Sequence, residues 1–200
     1  MTAIALFGLL SYYVGWTHGM QSAARLASAD RSAAAVSAAP PKAKATREDF
    51  ETLLHRKLSA PLTDATTEDI RDSFNEGRAT GKAHEASDIF AARGTPVVAM
   101  EDGTIRKLFT SPTDGLTIYQ FDESEMYCYY YARLDRYADD LTEGARVSKG
   151  QKIGYVGIPD GEPDMRPHLH LGIYKLGSEK RYWEGAPINP YHLLRRLASQ

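Results

Sequence analysis

From residue 81 onward, the chain consists of short β-prone runs separated by turns that contain glycine. Six runs of this kind cover residues 97–100, 104–109, 116–121, 127–134, 152–156 and 168–174. The dipeptides between them are typical of tight turns between antiparallel strands: Asp102-Gly103, Asp114-Gly115, Glu143-Gly144 and Lys149-Gly150. The pattern predicts a mainly β domain with a compact, antiparallel sandwich or barrel-like core. It also predicts that helices are confined to an N-terminal extension.

Composition limits the function classes that are open to the chain. Its 200 residues, 42% of them hydrophobic, suffice for one well-cored domain with an extension. The formal net charge of −2 provides no basic surface, so a nucleic-acid partner is not expected. Cys128 is the single cysteine, which excludes an intrachain disulfide framework and a cysteine-based zinc ribbon.

The N-terminal part of the chain divides into three segments. Residues 1–26 begin with an apolar, uncharged run and predict a signal anchor or signal peptide, although the run is short for a membrane span of about 20 residues. Residues 27–46 are rich in Ala and Ser, and they predict a flexible linker. Residues 47–71 predict a helical extension that Thr46 can cap, with a second short helix or helical turn at 66–75. Residues 72–200 then form the predicted domain.

Histidines and one carboxylate occur at spacings that suit a metal site. His168 and His170 are two apart in a predicted strand, so their side chains would project from one face. His84 and Asp88, four apart, share a face whether their segment is extended or helical. Two neutral imidazoles and one carboxylate form a three-ligand set for zinc with a fourth position for water, as in catalytic sites. Each motif alone is weak evidence, because an exposed strand of alternating polar residues also produces His-x-His.

Three longer segments carry these motifs in order. Residues 84–103 read HEASDIFAARGTPVVAMEDG, residues 130–157 read YYARLDRYADDLTEGARVSKGQKIGYVG, and residues 167–174 read PHLHLGIY. Together they closely resemble the lysostaphin-type (LytM-domain) zinc metallopeptidases, bacterial endopeptidases that cut the peptide cross-links of peptidoglycan. The resemblance extends over residues 72–194 and includes the closing sequence WEGAPINPY at 183–191.

The resemblance implies both an architecture and a site. The core would be of the duplicated hybrid motif type, His84, Asp88 and His170 would bind one zinc ion, and His168 would be the catalytic histidine. The substrate would be the peptide stems of peptidoglycan, cut during cell-wall remodelling. The protein would work in the bacterial envelope, in the periplasm or another extracytoplasmic space, anchored to the inner membrane by residues 1–26. Other wall enzymes are possible partners.

One position departs from the family pattern. The family usually carries a second catalytic histidine in a Tyr-Ala-His-Leu stretch, whereas this chain has arginine at position 133 of the corresponding stretch, 131–134. Arginine cannot act as a general base, but a guanidinium can stabilise an oxyanion by about 3 to 4 kcal/mol. We expect Arg133 in that catalytic role. If it faces the metal, strand alternation places Tyr131 in the same groove as a substrate-binding residue, although a tyrosine packed within the sheet is an equal alternative.

Another class of function stays open on the sequence alone. Loss of one catalytic histidine is also expected of a weakened or inactive LytM-like module that binds wall peptides or regulates a partner hydrolase. The complete ligand set together with His168 favours the enzyme. A lipoyl or biotinyl carrier, suggested by the predicted hairpin at Lys149-Gly150, is disfavoured because it gives the histidines no role.

Overall fold

The structure is a computed structural model that describes residues 44–77, 81, 83–158 and 165–200. The predicted signal segment, 1–26, and residues 27–43 of the predicted linker lie outside the described residues. Within the described ranges, no helix has both the length and the apolar character needed to cross a membrane.

The described residues form ten strands, two α-helices and one 3-10 turn at Thr67–Asp69. The helices are α1 Arg47–His55 and α2 Tyr191–Ala198. The strands are β1 Ile70–Arg71, β2 Ser87–Phe90, β3 Pro96–Val98, β4 Gly103–Ser111, β5 Gly115–Asp122, β6 Tyr127–Tyr137, β7 Arg146–Val147, β8 Lys152–Val156, β9 His168–Lys175 and β10 Ala186–Ile188.

The strands pair in one continuous antiparallel network. Its main path runs β1-β2-β9-β6-β5-β4-β7, β10 adds to β9, and β8 pairs with both β3 and β6. The long strand β6 is central in this network, because it pairs with β5, β8 and β9. The prediction of a mainly β, antiparallel core with few short helices is confirmed.

Alternation along β9 separates the hydrophobic core from the histidines. Leu169, Leu171 and Ile173 are fully buried in the core, so His168 and His170 project from the opposite face of the same strand. The neighbouring strand β6 follows the same rule, because three of its tyrosines join the core: Tyr127, Tyr129 and Tyr131. Strands β6 and β9 therefore turn one face towards the hydrophobic core, and the opposite face of β9 carries the two histidines.

Helix α1 is capped as its sequence predicts. The backbone N–H of Asp49 donates to the Thr46 hydroxyl at 3.3 Å, and the Asp49 carboxylate accepts from the Thr46 N–H at 3.0 Å. These two bonds satisfy donors that the first turn of a helix leaves open. Leu53 of α1 and Ile70 of β1 both belong to the same hydrophobic core as the later strands.

Two helix predictions differ from the structure. Of the second short helix or helical turn predicted at 66–75, only the 3-10 turn forms, because Ile70 and Arg71 pair with β2 as strand β1. The prediction that helices are confined to the N-terminal extension fails at α2, which follows Pro190 near the C-terminus. Leu193 and Leu194 of α2 are buried, so an amphipathic pattern after a helix-starting proline carried the missed signal.

Candidate metal centre

The pairing of β2 with β9 brings three of the predicted site residues together. Asp88 lies directly opposite His170, and Phe90 lies opposite His168. Opposed residues in an antiparallel pair share a face, so the carboxylate projects beside the imidazole. His84 comes from the loop before β2, where its backbone N–H donates to Glu76 O at 2.9 Å and holds the loop over this face.

The donor atoms of His84, Asp88 and His170 all lie within 4.8 Å of one another. Asp88 Oδ1 is 3.0 Å from His170 Nδ1 and 3.4 Å from His84 Nε2. A tetrahedral zinc site with bonds of about 2.0 to 2.1 Å has ligand atoms about 3.3 Å apart. The two donor–donor distances, 3.0 and 3.4 Å, therefore match the separation of ligand atoms in such a site.

The ionisation states of the three side chains suit a cation that displaces one proton, the one that His170 Nδ1 donates to Asp88 Oδ1. His84 Nδ1 is 3.0 Å from Ala86 O, and because a carbonyl only accepts, the neutral ring has its proton on Nδ1 and its lone pair on Nε2. Burial lowers the pKa of His170 to about 4, so that its imidazole is neutral at pH 7. Burial opposes ionisation of Asp88, but the hydrogen bond to His170 and the nearby imidazoles outweigh it and lower its pKa to about 2. The set fits a zinc ion.

His168 lies beside these donors with one nitrogen free. Its Nδ1 is 2.7 Å from Arg166 O and must donate to that carbonyl. Its Nε2 is 3.5 Å from Asp88 Oδ1, is buried, and has no hydrogen-bond partner among the described residues. Phe90 packs against the ring at a centroid distance of 5.6 Å. Burial lowers the pKa of His168, so Nε2 is a basic nitrogen available to a ligand at neutral pH.

A β-bulge in β6 sets the direction of Arg133. Ala132 and Arg133 together face one residue of β5, Thr117, and the φ of Arg133 is +62°. A non-glycine residue in this left-handed region is strained and often marks a functional site. The bulge interrupts the alternation of the strand. For this reason Arg133 does not share the core-facing side of Tyr131.

Contacts on both sides hold Arg133 in place. Its backbone N–H donates to Asp114 O and its carbonyl accepts from Gly157 N–H, both at 2.8 Å. Its guanidinium contacts the sulfur of Met165 and lies 4.0 Å from the Asp114 carboxylate. Among the described residues, its buried Nε has no hydrogen-bond partner. Burial is the largest cause of the low pKa of His168, and the positive charge of Arg133 lowers it further. This effect is consistent with a guanidinium near that imidazole.

The substrate-binding prediction for Tyr131 is not supported by its position. Tyr131 is fully buried in the core, where its hydroxyl donates to Gln120 Oε1 at 2.9 Å and accepts from Met100 N–H at 3.0 Å. The expectation assumed a regular strand in which Tyr131 and Arg133 share a face, and the bulge removes that relation. Tyr131 therefore stabilises the core behind the site.

Residues that the sequence did not single out complete this face. Ala132 lies opposite His170, and its small side chain leaves room for the imidazole. Tyr130, on the same face, approaches His170 with ring centroids 6.0 Å apart, and its hydroxyl is 3.4 Å from the Asp114 carboxylate. The alternation of side chains along β6 would have placed Tyr130 beside His170 if the register between β6 and β9 had been known. The sequence alone does not give that register.

Comparison with known proteins places this site in a family. The profile of peptidase family M23 matches residues 82–190, which include His84, Asp88, Arg133, His168 and His170. An L-Ala–D-Glu endopeptidase of Bacillus subtilis (strain 168) is 32% identical over 142 residues, which are 68% of this chain and 42% of that protein. The chain spans less than half the length of the curated relatives that it matches.

Solved structures agree with the sequence match. A protein from Ruminococcus gnavus, described as a glycyl-glycine endopeptidase LytM, is 30% identical with a TM-score of 0.54 over 72% of this chain and 59% of that one. The catalytic domain of lysostaphin from Staphylococcus simulans has the same fold, with a TM-score of 0.55 at 23% identity over 69% of this chain and 98% of that domain. The predicted resemblance to lysostaphin-type proteins is confirmed, and this chain belongs to peptidase family M23.

Proposed function

We propose that this chain is a zinc-dependent endopeptidase that hydrolyses amide bonds in the peptide cross-links of peptidoglycan. The observation that carries the proposal is the convergence of two imidazoles and one carboxylate, with donor atoms within 4.8 Å of one another. The buried, unpartnered Nε2 of His168 lies beside them. Membership of peptidase family M23 supports the same reaction class.

The residues that would hold zinc are His84, through Nε2, Asp88, and His170, through Nδ1. Zinc bound by these donors would polarise the scissile carbonyl and lower the pKa of the attacking water. Because His84 Nδ1 donates to Ala86 O, the ring is held with its lone pair towards Asp88. The protein thus orients one of the three donors, His84, through a contact outside the ligand set.

His168 is the proposed general base. Because its Nδ1 donates to Arg166 O, the neutral ring presents an unprotonated Nε2 to the site. Nε2 would accept a proton from the attacking water and return it to the leaving amide nitrogen as the bond breaks. The low pKa that burial imposes keeps this nitrogen available at neutral pH.

Arg133 is the proposed oxyanion donor. Its charge cannot be lost at neutral pH, so it would act as a fixed hydrogen-bond donor and not as a proton carrier. The bulge and the backbone bonds to Asp114 and Gly157 fix its backbone before substrate arrives. A preorganised donor aimed at the developing negative charge contributes about 3 to 4 kcal/mol to transition-state stabilisation.

The proposed substrate and location follow from the relatives. The Bacillus subtilis relative is named an L-Ala–D-Glu endopeptidase, and a Vibrio cholerae relative is named a peptidoglycan DD-endopeptidase. We infer that this chain acts on peptide stems outside the cytoplasm, and that residues 1–26 export it or anchor it to the inner membrane. Other wall hydrolases are proposed partners at that location. An inactive, peptide-binding module is the weaker alternative, because it gives no reason for a complete donor set.

Replacement of His170 by alanine tests this proposal. We expect the purified full chain to bind one zinc per molecule and to lyse isolated sacculi, and we expect His170→Ala to lose both properties. His55→Ala is the matched control, because His55 is exposed on α1 and is not part of the donor set. Retention of zinc and lytic activity by His170→Ala would remove the assignment. Zinc binding without any hydrolysis in the wild type would favour the inactive module.

A further inference from the structure

A row of aromatic rings leads from the metal centre to the protein surface. Tyr130 contacts His170, and Tyr119 contacts Tyr130 at a centroid distance of 4.7 Å. Tyr182 follows at 4.6 Å from Tyr119, and Trp183 at 4.6 Å from Tyr182. The four contacts form one continuous path. Its inner end lies beside a proposed zinc ligand, and its outer end is the indole of Trp183.

The outer end of the row is open to solvent. Trp183 is 63% exposed, the highest value among the large hydrophobic residues of the described chain. Its contact with Tyr182 is edge-to-face, with ring planes at 82°. The exposed indole offers a flat aromatic face on which the apolar face of a ligand can stack.

Polar groups that suit a sugar flank the exposed indole. The Arg181 guanidinium and the Glu184 carboxylate form an ion pair, with Nη1 at 3.3 and 3.2 Å from the two carboxylate oxygens. Both side chains are 42% exposed. A guanidinium beside a carboxylate offers both donors and acceptors to the hydroxyl and amide groups of a carbohydrate. The apolar C–H face of a pyranose ring can stack on the electron-rich face of an indole.

We propose that Trp183, flanked by Arg181 and Glu184, is a docking site for the glycan strand of peptidoglycan. This inference rests on the proposed function. The ligand class is a strand of β-linked N-acetylated amino sugars, and Trp183 stacks on one sugar ring. The site would hold the glycan while the attached peptide stem enters the metal centre.

The chain of ring contacts sets an upper limit on the separation of the two sites. Four ring-to-ring contacts, each 6.0 Å or shorter, separate His170 from Trp183. An extended peptide of about six residues covers such a path. A peptide of about this length would therefore reach from a sugar at Trp183 to the metal centre.

Binding of peptide-free glycan by the full chain tests the proposal separately from hydrolysis. The probe is a soluble oligosaccharide of β-1,4-linked N-acetylated amino sugars without stem peptides, and calorimetry measures its Kd. We expect Trp183→Ala to weaken binding by about tenfold and Trp183→Phe, which keeps a stacking face, to weaken it by much less. Tyr155→Ala is the matched control, because Tyr155 is an aromatic residue outside the row, stacked under Arg136. It should bind the oligosaccharide like the wild type.

A second measurement separates docking from catalysis. We expect Trp183→Ala to cleave a free stem peptide at the wild-type rate and to hydrolyse intact sacculi more slowly. If the wild type does not bind the oligosaccharide, or if Trp183→Ala binds it equally well, the docking site is wrong. That result leaves the endopeptidase proposal intact. Conversely, absent hydrolysis with Trp183-dependent glycan binding would reject the endopeptidase and retain the docking site as a wall-binding surface.

Discussion

Asp88 on β2 and His170 on β9 lie directly opposite each other, with Oδ1 of the carboxylate 3.0 Å from Nδ1 of the imidazole. The two residues are 82 positions apart in the chain, and only the antiparallel register joins them. A one-residue slip of that register would turn His170 to the other face of the sheet. The candidate metal centre therefore depends on the pairing of two short strands.

Asp88→Asn tests the carboxylate as a ligand. The substitution keeps the shape of the side chain but removes its negative charge, so we expect zinc affinity to fall by at least about 100-fold. Competition with a chelator of known affinity measures the change. Asp139→Asn, an exposed carboxylate remote from the donor set, should bind zinc like the wild type. Unchanged affinity in Asp88→Asn would exclude Asp88 as a ligand.

Arg133 is tested by a series of substitutions. We expect Arg133→Ala to lower kcat on a soluble stem peptide by about 100-fold or more, with a smaller effect on KM, because an oxyanion donor acts mainly in the transition state. Arg133→His should retain comparable or higher activity, since a protonated imidazole also donates. Arg133→Lys keeps the charge without the fork and should be intermediate. Equal activity in all four proteins would rule out a catalytic role for this side chain.

Gly157→Ala tests the support of the bulge. A Cβ at this position would lie 2.6 Å from Leu134 C and 2.9 Å from Asp135 Cα, and backbone atoms cannot yield as a flexible side chain can. We expect a loss of about 1 to 3 kcal/mol in the free energy of unfolding. Urea denaturation measures it. Gly77→Ala is the control, because nothing lies within 4 Å of the added Cβ, and its effect should stay within about 0.5 kcal/mol.

The contacts of Asp49 indicate that the free energy of unfolding depends on pH. Burial opposes ionisation of its carboxyl, but hydrogen bonds from Lys175, Thr46 and Tyr127 outweigh it and lower its pKa. A carboxyl with a lowered folded-state pKa stabilises the fold above the unfolded value of about 3.9 and loses that contribution as the pH falls through the folded value. Lys175 Nζ lies 2.7 Å from Asp49 Oδ1, and the Tyr127 hydroxyl donates to the same oxygen at 3.0 Å.

Asp49→Asn should therefore lower the free energy of unfolding at pH 7 by about 1 to 3 kcal/mol. The difference from the wild type should narrow as the pH falls below about 4, because a protonated Asp49 resembles asparagine. Urea denaturation from pH 7 down to about pH 2 measures the difference, because the carboxyl titrates at and below its unfolded pKa of about 3.9. Glu48→Gln is the matched control, since Glu48 is exposed in the same first turn of α1. A difference that does not change with pH would contradict the assigned charge interaction.

Local sequence patterns predicted those features that depend on neighbouring residues. The β-prone runs became β3, β4, β5, β6, β8 and β9, because period-two alternation and glycine turns act over a few residues. Thr46 capped α1 for the same reason. Helix α2 was not predicted, although its eight residues carry an amphipathic pattern of their own.

By itself, the sequence determined the class of fold and, through the spacing of His84, Asp88, His168 and His170, the residues able to form a metal centre. Only the tertiary structure decided which side chains accompany them. The bulge turned Arg133 away from the core-facing side of Tyr131 and left Tyr130 beside His170. The physical reason is that face and register arise from hydrogen bonds between strands distant in the chain, and one extra residue in a strand reverses the parity that a sequence pattern assumes.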